Sequence, residues 1–178
     1  MSGTNSGVTG EDPHVVPIDT QNPEAYRAAI AVARTVLRTA TKAGLDRTLV
    51  ELVNIRVSQI NGCAACLYVH VRDALAAAET DQRIAVLPAW RDTTLFTDKE
   101  RAALTLAESI TTLPGWRAQA QDYAEVRQHL SADEFSAVSW IAITINAFNR
   151  ISIVSRHIVH PPDAVPPVGA QGDGRKIG

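Results

Sequence analysis

The strongest constraint on the fold of this chain is a long apolar segment near its carboxyl end. The segment follows Ser131-Ala132-Asp133-Glu134, a capping box that predicts the start of a helix. Its apolar residues lie on every side of that helix: Val138, Trp140, Ile141, Ile143, Ile145, Phe148, Ile151 and Ile153. A helix of this kind is expected to be covered all round. The sequence therefore predicts that residues 135–154 lie in the core and also against another subunit.

The segments before it also carry helical signals and no sustained strand alternation. Helical spacing or caps mark four of them, at residues 26–40, 46–60, 63–78 and 97–113. Gly44 and the pair Asn61-Gly62 separate the first three. We therefore predict an all-α, single-domain bundle of about six or seven helices.

Two polar tails flank the predicted bundle. Residues 1–22 are rich in Gly, Ser, Thr and Pro, and residues 161–178 contain four prolines and four glycines. Neither tail has an apolar period. We predict a flexible arm over 1–22, a helical domain over 23–160 and a flexible tail over 161–178.

Composition narrows the class of protein. With 178 residues and 46% hydrophobic content, the chain can build one core without a second domain. The formal net charge of -2, without a long basic run, argues against a nucleic-acid partner. The first residues lack a basic segment followed by an apolar one, and no uncharged apolar run is long enough to span a bilayer. We expect a soluble cytoplasmic protein without a membrane partner.

Two cysteines and a histidine form the cluster that carries most of the chemistry. Cys63 and Cys66 are the only cysteines, and their spacing allows a small disulfide. The expected helix N-terminus would favour thiolate over thiol. His70 lies four residues after Cys66, on the same helical face. In a reducing compartment such a pair is more often catalytic or metal-binding than structural.

Glu51 on the preceding helix is the fourth candidate. The short connection Asn61-Gly62 predicts that the two helices pack as an antiparallel hairpin. At ~1.5 Å rise per residue, Glu51 lies roughly 13 Å before the turn and His70 roughly 10 Å after it. If their faces meet, a proton relay runs from Glu51 through His70 to Cys66, directly or through one water.

Each of these residues also has a structural interpretation. Thr48 and Glu51 fit a capping box, in which the carboxylate only satisfies a backbone N–H, whereas Asp46 is an equally good N-cap. A single histidine such as His70 is usually a hydrogen-bonded core residue. The sequence leaves these alternatives open.

Zinc is a rival to redox chemistry. Cys63, Cys66 and His70 offer three ligands, and Glu51 is the only nearby candidate for a fourth. No second C-x-x-C or histidine pair completes a structural site.

Taken together, Glu51, Cys63, Cys66 and His70 form the pattern E-x11-C-x2-C-x3-H. This pattern resembles the core motif of the AhpD-like alkylhydroperoxidases in the carboxymuconolactone decarboxylase superfamily. The similarity extends from Leu49 through residues 90–104 and to residues 146–150. Decarboxylase members generally lack the C-x-x-C, so the resemblance disfavours lactone decarboxylation.

The resemblance implies an all-helical subunit of a homo-oligomer, a trimer or hexamer, that reduces hydroperoxides through a dithiol/disulfide cycle. Cys66 would be the peroxidatic thiol, Cys63 the resolving thiol, His70 the general base and Glu51 the end of the relay. No bound cofactor or metal is implied. A dihydrolipoyl group on a partner protein would restore the dithiol, and a peroxiredoxin would be a downstream electron acceptor. Ala65 stands where the best-known mycobacterial-type member carries a histidine.

Two other functions remain hypotheses from the sequence. The first is a redox sensor or disulfide-exchange protein without peroxidase turnover. The second is an oligomeric module whose cysteines bind zinc.

Overall fold

Polar caps and glycine stops divide the chain into short and long helices. A computed structural model describes residues 13–160. Within this range the elements are α1 Ile18–Gln21, α2 Pro23–Lys42, α3 Arg47–Asn61, α4 Ala64–Ala76, α5 Asp81–Val86, the 3-10 helix Leu87–Asp92, α6 Asp98–Thr112, α7 Trp116–Val126 and α8 Ala132–Val154. The predicted all-α class is confirmed. The described residues form eight α-helices rather than six or seven, because short segments without a clear apolar period also form helical turns.

Side-chain caps fix where the long helices begin. Both predicted capping boxes are present, one at Thr97 with Glu100 and one at Ser131 with Glu134. At the start of α3, Asp46 Oδ1 accepts a hydrogen bond of 2.7 Å from the backbone N–H of Leu49. Asp46 is thus the N-cap of α3. Glu51 lies inside the helix, so its carboxylate is not used as a helix cap and can bond to other side chains.

The core surrounds α3, the most completely buried helix. Every residue from Leu49 to Ile55 on α3 is buried. One side of α3 contributes Leu49, Val53 and Val57 to a cluster shared with α2, α6 and α8. The other side contributes Leu52 and Ile55 to a second cluster, which also contains Ala74, Leu87, Trp90, Phe96 and Leu104. Because α3 is packed on several sides, its position and the positions of its side chains are closely restrained.

Helix α8 is buried on one side and exposed on the other. Its buried face includes Val138, Ile141 and Ile145. Trp140, by contrast, is 50% exposed and Ile143 is 48% exposed. The predicted place in the core is confirmed for the buried face, and α2, α3 and α6 pack against only part of the helix circumference in the single chain. Its predicted contact with another subunit stays a prediction.

By length and composition alone, α8 could also cross a membrane. Core helices pass the same test, and one face of α8 is packed in the core of this domain.

The short helix α1 lies within the segment for which the sequence predicts a flexible arm. The backbone N–H of Ile18 donates a hydrogen bond of 3.1 Å to Ser155 Oγ, and His157 Nε2 lies 3.2 Å from Asp19 Oδ2. These contacts connect α1 to the residues just after α8. Residues 1–12 of the predicted arm and the predicted tail 161–178 lie outside the described residues. The domain limits stay predictions.

Candidate active site

The hairpin between α3 and α4 brings the candidate residues together. Gly62 ends α3 with a φ of 70°, in the left-handed region that favours glycine. The backbone N–H of Cys63 then donates a hydrogen bond of 3.1 Å to the carbonyl of Ser58. The chain reverses within these residues, so α4 runs back along α3.

Cys63 and Cys66 form a disulfide at the start of α4. Cys63 is the N-cap of the helix, and its Sγ accepts a hydrogen bond from the backbone N–H of Cys66 at 3.3 Å. Both residues are buried, with Cys63 1% and Cys66 9% exposed. The sulfurs therefore lie where the helix N-terminus favours a thiolate once the disulfide is reduced.

A buried polar network holds the end of α3 in place before the cysteines. Asn149, fully buried on α8, donates to Ser58 Oγ at 3.0 Å, and Ser58 Oγ donates to the carbonyl of Asn54 at 2.7 Å. Asn61 Nδ2 donates to the side-chain oxygens of Asn146 and Asn149, each at 2.9 Å. Because buried amides and hydroxyls are costly to leave unpaired, this network fixes the position of the turn.

Glu51 and His70 are in direct contact across the hairpin. His70 Nδ1 lies 2.7 Å from Glu51 Oε2. Because a carboxylate only accepts, Nδ1 carries the proton of this hydrogen bond, and a neutral His70 then has its lone pair on Nε2. Glu51 Oε1 lies 2.5 Å from an Arg47 guanidinium nitrogen, and Asn54 Nδ2 donates to Oε2 at 3.2 Å. The Glu51 carboxylate thus fixes the orientation of the His70 ring, with Nδ1 toward α3.

Glu51 is ionised despite being 1% exposed. Burial by itself raises the pKa of its carboxyl group, but the hydrogen bond and charge of His70, with further help from Asn54 and Arg47, outweigh burial and leave the pKa below its ordinary value. The carboxylate therefore carries its negative charge directly beside the His70 ring.

The cysteine pair lies one helical turn from His70. Cys66 and His70 are four residues apart in α4 and therefore share a face. Within residues 13–160, the disulfide form contains no side-chain hydrogen bond between the two, and the contact of His70 is with Glu51. The catalytic roles of all four residues stay predictions.

The zinc alternative requires Cys63, Cys66 and His70 to converge. In the described part of the chain, no three His, Cys, Asp or Glu side chains are grouped so that they could hold a metal ion. The two cysteines bond to each other, and His70 bonds to Glu51. This geometry is that of a disulfide beside a histidine–carboxylate pair.

An open cavity of about 260 Å³ adjoins this pair. It is lined by Ala33, Val36, Leu37, Arg47, Val50, Glu51, Asn54, His70, Ile141, Thr144, Ile145 and Phe148. The sequence reasoning missed the polar members Arg47, Asn54 and Thr144. The i,i+4 spacing of Arg47 and Glu51 on α3 is a signal that could have found the first of them. The i,i+3 spacing of Glu51 and Asn54 is a similar signal, whereas Thr144 joins the cavity only through tertiary packing.

Comparison with known proteins places the chain in a family. Residues 23–109 match the sequence profile of the Carboxymuconolactone decarboxylase family. The uncharacterized protein YdfG of Bacillus subtilis (strain 168) is 42% identical over 112 residues, which cover 63% of this chain and 76% of that protein. The chain is an AhpD-like member of the carboxymuconolactone decarboxylase superfamily.

A crystal structure supports the AhpD-like fold. It belongs to a protein of unknown function from Agrobacterium tumefaciens that is proposed to be the antioxidant defence protein AhpD. The TM-score is 0.73 at 29% sequence identity, and the match covers 82% of this chain and 97% of the other. The predicted family resemblance is therefore confirmed.

The lowered pKa of Glu51 predicts a pH dependence of stability. Because its folded-state pKa lies below the ordinary value of 4.5, the ionised carboxylate stabilises the fold above that pH, and this contribution is lost as the pH falls from 4.5 through the lower pKa. We expect Glu51→Gln to lose less unfolding free energy than the wild type between about pH 6 and about pH 3.5. Urea unfolding across that range measures it. Glu24→Gln, at an exposed glutamate of α2, is the control, and equal losses in all three proteins would contradict the prediction.

Proposed function

We propose that this AhpD-like protein is a thiol-dependent peroxidase that reduces organic hydroperoxides or hydrogen peroxide. The observation that carries the proposal is the 2.7 Å contact between Glu51 and His70, one helical turn from a cysteine pair that forms a disulfide. The family and the C-x-x-C pair support a redox role. The orientation of His70 by a buried carboxylate adds what a peroxide reaction needs, a base beside the thiol.

The first half of the cycle consumes the peroxide. His70 Nε2 takes the proton of the Cys66 thiol, directly or through one water. The Cys66 thiolate attacks the distal oxygen of R–O–O–H, a sulfur–oxygen bond forms and the oxygen–oxygen bond breaks. The leaving alkoxide takes the proton back from His70 and departs as an alcohol. Cys66 is left as a sulfenic acid, oxidised by two electrons.

The second half restores the dithiol. Cys63 attacks the sulfur of the sulfenic acid, the disulfide forms, and the hydroxyl group leaves as water with the Cys63 proton. An external dithiol then reduces the disulfide and is itself oxidised. The sum is one hydroperoxide and one dithiol converted to one alcohol, one water and one disulfide.

The burial of the sulfurs bears on the electron donor. With Cys63 and Cys66 1% and 9% exposed, a cysteine held on the surface of a globular partner would approach them poorly. A dihydrolipoyl group on a partner protein is a thin, flexible dithiol and fits such a site better. We propose that this donor acts in the cytoplasm, where disulfides are kept reduced. A peroxiredoxin would be a further electron acceptor.

Single cysteine variants test the assignment of the two thiols. Cys66→Ser should abolish peroxide reduction, because it removes the attacking sulfur. Cys63→Ser should allow one turnover and leave a sulfenic acid on Cys66 that cannot condense. Mass spectrometry after a stoichiometric peroxide pulse distinguishes them. Sulfenic acid on Cys63 in Cys66→Ser, with none on Cys66 in Cys63→Ser, would reverse the roles.

Removal of Glu51 or His70 tests the relay. Each loss should slow the peroxide step by roughly 10² to 10⁴ at neutral pH, the usual contribution of a positioned acid–base group. If the two act as one unit, the double variant should be little slower than either single variant. Glu108→Gln is the matched control, because Glu108 is another largely buried glutamate but bonds to Arg56 and Trp90 rather than to His70. Equal rates in Glu51→Gln and the wild type would reject the relay.

Exposed apolar residues support assembly into a homo-oligomer. Trp140 and Ile143 on α8, and Val32 on α2, are about half exposed, and a groove about 420 Å³ in volume runs between the two helices beside Trp140. Such patches usually mark an interface, and closed rings are the expected symmetric forms. We propose that this face is covered by other copies of the chain in a trimer or hexamer.

Substitution of Trp140 tests the assembly. The wild type should be a stable oligomer at micromolar concentration, whether reduced or oxidised, because the disulfide closes within one helical turn. Trp140→Glu should lower the mass measured by light scattering, because it places a charge in the apolar interface. Trp116→Glu, at a tryptophan of α7 that is 73% exposed, should leave the mass unchanged. A monomeric wild type would contradict the proposal.

A further inference from the structure

Cys63 is bonded to the helix before it and to the helix after it. Its backbone N–H donates to the carbonyl of Ser58 at 3.1 Å, and the N–H of Gly62 donates to the carbonyl of Gln59 at 3.3 Å. These two bonds form the Schellman motif that ends α3. As the N-cap of α4, Cys63 also accepts at its carbonyl from the N–H of Leu67 at 2.9 Å. The bond to Ser58 therefore connects Cys63 to α3.

Asn149 of α8 holds Ser58 by its side chain. The amide of Asn149 is fully buried, and its Nδ2 donates to Ser58 Oγ at 3.0 Å. Its Oδ1 accepts from Asn61 Nδ2 at 2.9 Å, and Ser58 Oγ donates in turn to the carbonyl of Asn54 at 2.7 Å. One side chain of α8 thus bonds to two residues at the carboxyl end of α3.

The neighbouring Asn146 makes a different set of contacts. Its Oδ1 accepts from Asn61 at 2.9 Å and from Arg150 at 2.8 Å, and its Nδ2 donates to Thr111 Oγ1 at 2.9 Å. Among the described residues, Asn146 makes no side-chain hydrogen bond to Ser58. The two asparagines therefore separate the bond to Ser58 from the general contact between α8 and the turn.

We propose that Asn149 is a positioning residue that, through Ser58, holds the sulfur of Cys63 beside its partner and stabilises the disulfide over the dithiol. The physical reason is effective concentration, since two thiols held close together form a disulfide more readily than two thiols whose separation fluctuates. This role rests on the proposed function for its place in the cycle, where the same restraint assists the attack of Cys63 on the sulfenic acid of Cys66.

The amide of Asn149 acts at a distance from the reacting atoms. In the part of the chain that the structure describes, it makes no hydrogen bond to either sulfur, and it reaches Cys63 through the Ser58 residue. A buried amide is costly to leave unpaired, so its two bonds restrain the turn more firmly than an apolar side chain of similar size would.

Exchange with dithiothreitol measures the redox equilibrium without any peroxide. The protein disulfide accepts two electrons and two protons and becomes the dithiol, while dithiothreitol gives them up and closes its own cyclic disulfide. Asn149→Ala should shift this equilibrium toward the protein dithiol about 10-fold, the usual effect of one lost hydrogen bond, which corresponds to a rise of about 30 mV in the reduction potential. Alkylation of free thiols followed by mass spectrometry measures the two fractions.

Ser58→Ala removes the same connection from its other end. Alanine is favourable inside helices, so this variant keeps α3 and gives the answer if Asn149→Ala does not fold. It should shift the equilibrium in the same direction by a similar factor. The double variant should shift it little further, because both substitutions break one connection.

Two matched variants serve as controls. Asn146→Ala removes an asparagine of α8 that bonds to Asn61 but keeps the bond between Asn149 and Ser58, and it should shift the equilibrium clearly less than Asn149→Ala. Ser139→Ala removes, from α8, the same type of bond to the carbonyl four residues earlier that Ser58 makes, and it should leave the equilibrium unchanged.

Urea unfolding of both redox forms distinguishes positioning of the cysteines from a general loss of stability. If Asn149 stabilises the disulfide specifically, Asn149→Ala should destabilise the oxidised protein more than the reduced protein, by the same factor that the exchange equilibrium shows. A purely structural role would destabilise both forms equally and leave the reduction potential unchanged.

The outcomes separate this assignment from the peroxidase proposal. A wild-type equilibrium in Ser58→Ala and in folded Asn149→Ala would overturn the assignment even if peroxides are reduced, and an equal shift in Asn146→Ala would also overturn it. The expected shifts in a protein that reduces no peroxide would support the positioning role and reject the peroxidase function.

Discussion

A buried negative charge on α3 sets the arrangement of the site. Removing a carboxylate from water costs several kcal/mol, and that cost is offset only by close partners. Glu51 has partners on its own helix, Arg47 and Asn54, and one from the next helix, His70. Loss of any of these partners would leave the buried charge poorly compensated. The contact with His70 therefore also fixes the position of α4 along the axis of α3.

The hairpin of α3 and α4 also positions the cysteine pair relative to Glu51 and His70. Gly62, in the left-handed conformation, ends α3, and the N-cap Cys63 starts α4 immediately after it. Asparagines of α8 form hydrogen bonds with residues at the carboxyl end of α3. Cys66 then lies one turn from His70. The cysteine pair and the histidine–carboxylate pair are therefore positioned by one turn and one buried polar network, rather than by separate loops. A rigid frame of this kind is what a reaction between small groups requires.

The family comparison and the geometry support the function at different levels. The match to the Carboxymuconolactone decarboxylase family and to the Agrobacterium tumefaciens structure establishes the fold and the AhpD-like class. Those relatives are themselves uncharacterized or of proposed function. We therefore base the proposed reaction on side chains of this chain, and on Cys66, His70 and Glu51 above all.

Local patterns in the sequence determined a large part of this description. Caps at Asp46, Thr97 and Ser131 placed three helix starts, because capping depends on residues within one turn. The C-x-x-C spacing allowed the disulfide, and counting residues along two helices joined by a short turn placed Glu51 level with His70. Each of these inferences uses a distance along the chain or across a single turn.

Tertiary packing alone decided the rest. Which helix is central could not be read from hydrophobicity, since α8 is the more apolar helix and yet α3 is the one enclosed on several sides. Packing placed Thr144 of α8 in the lining of the same cavity as Glu51 and His70. The sequence determined the helices and the cysteine pair because these depend on interactions between residues close together in the chain. The cavity depends on how helices distant in sequence face one another, which only the folded chain fixes.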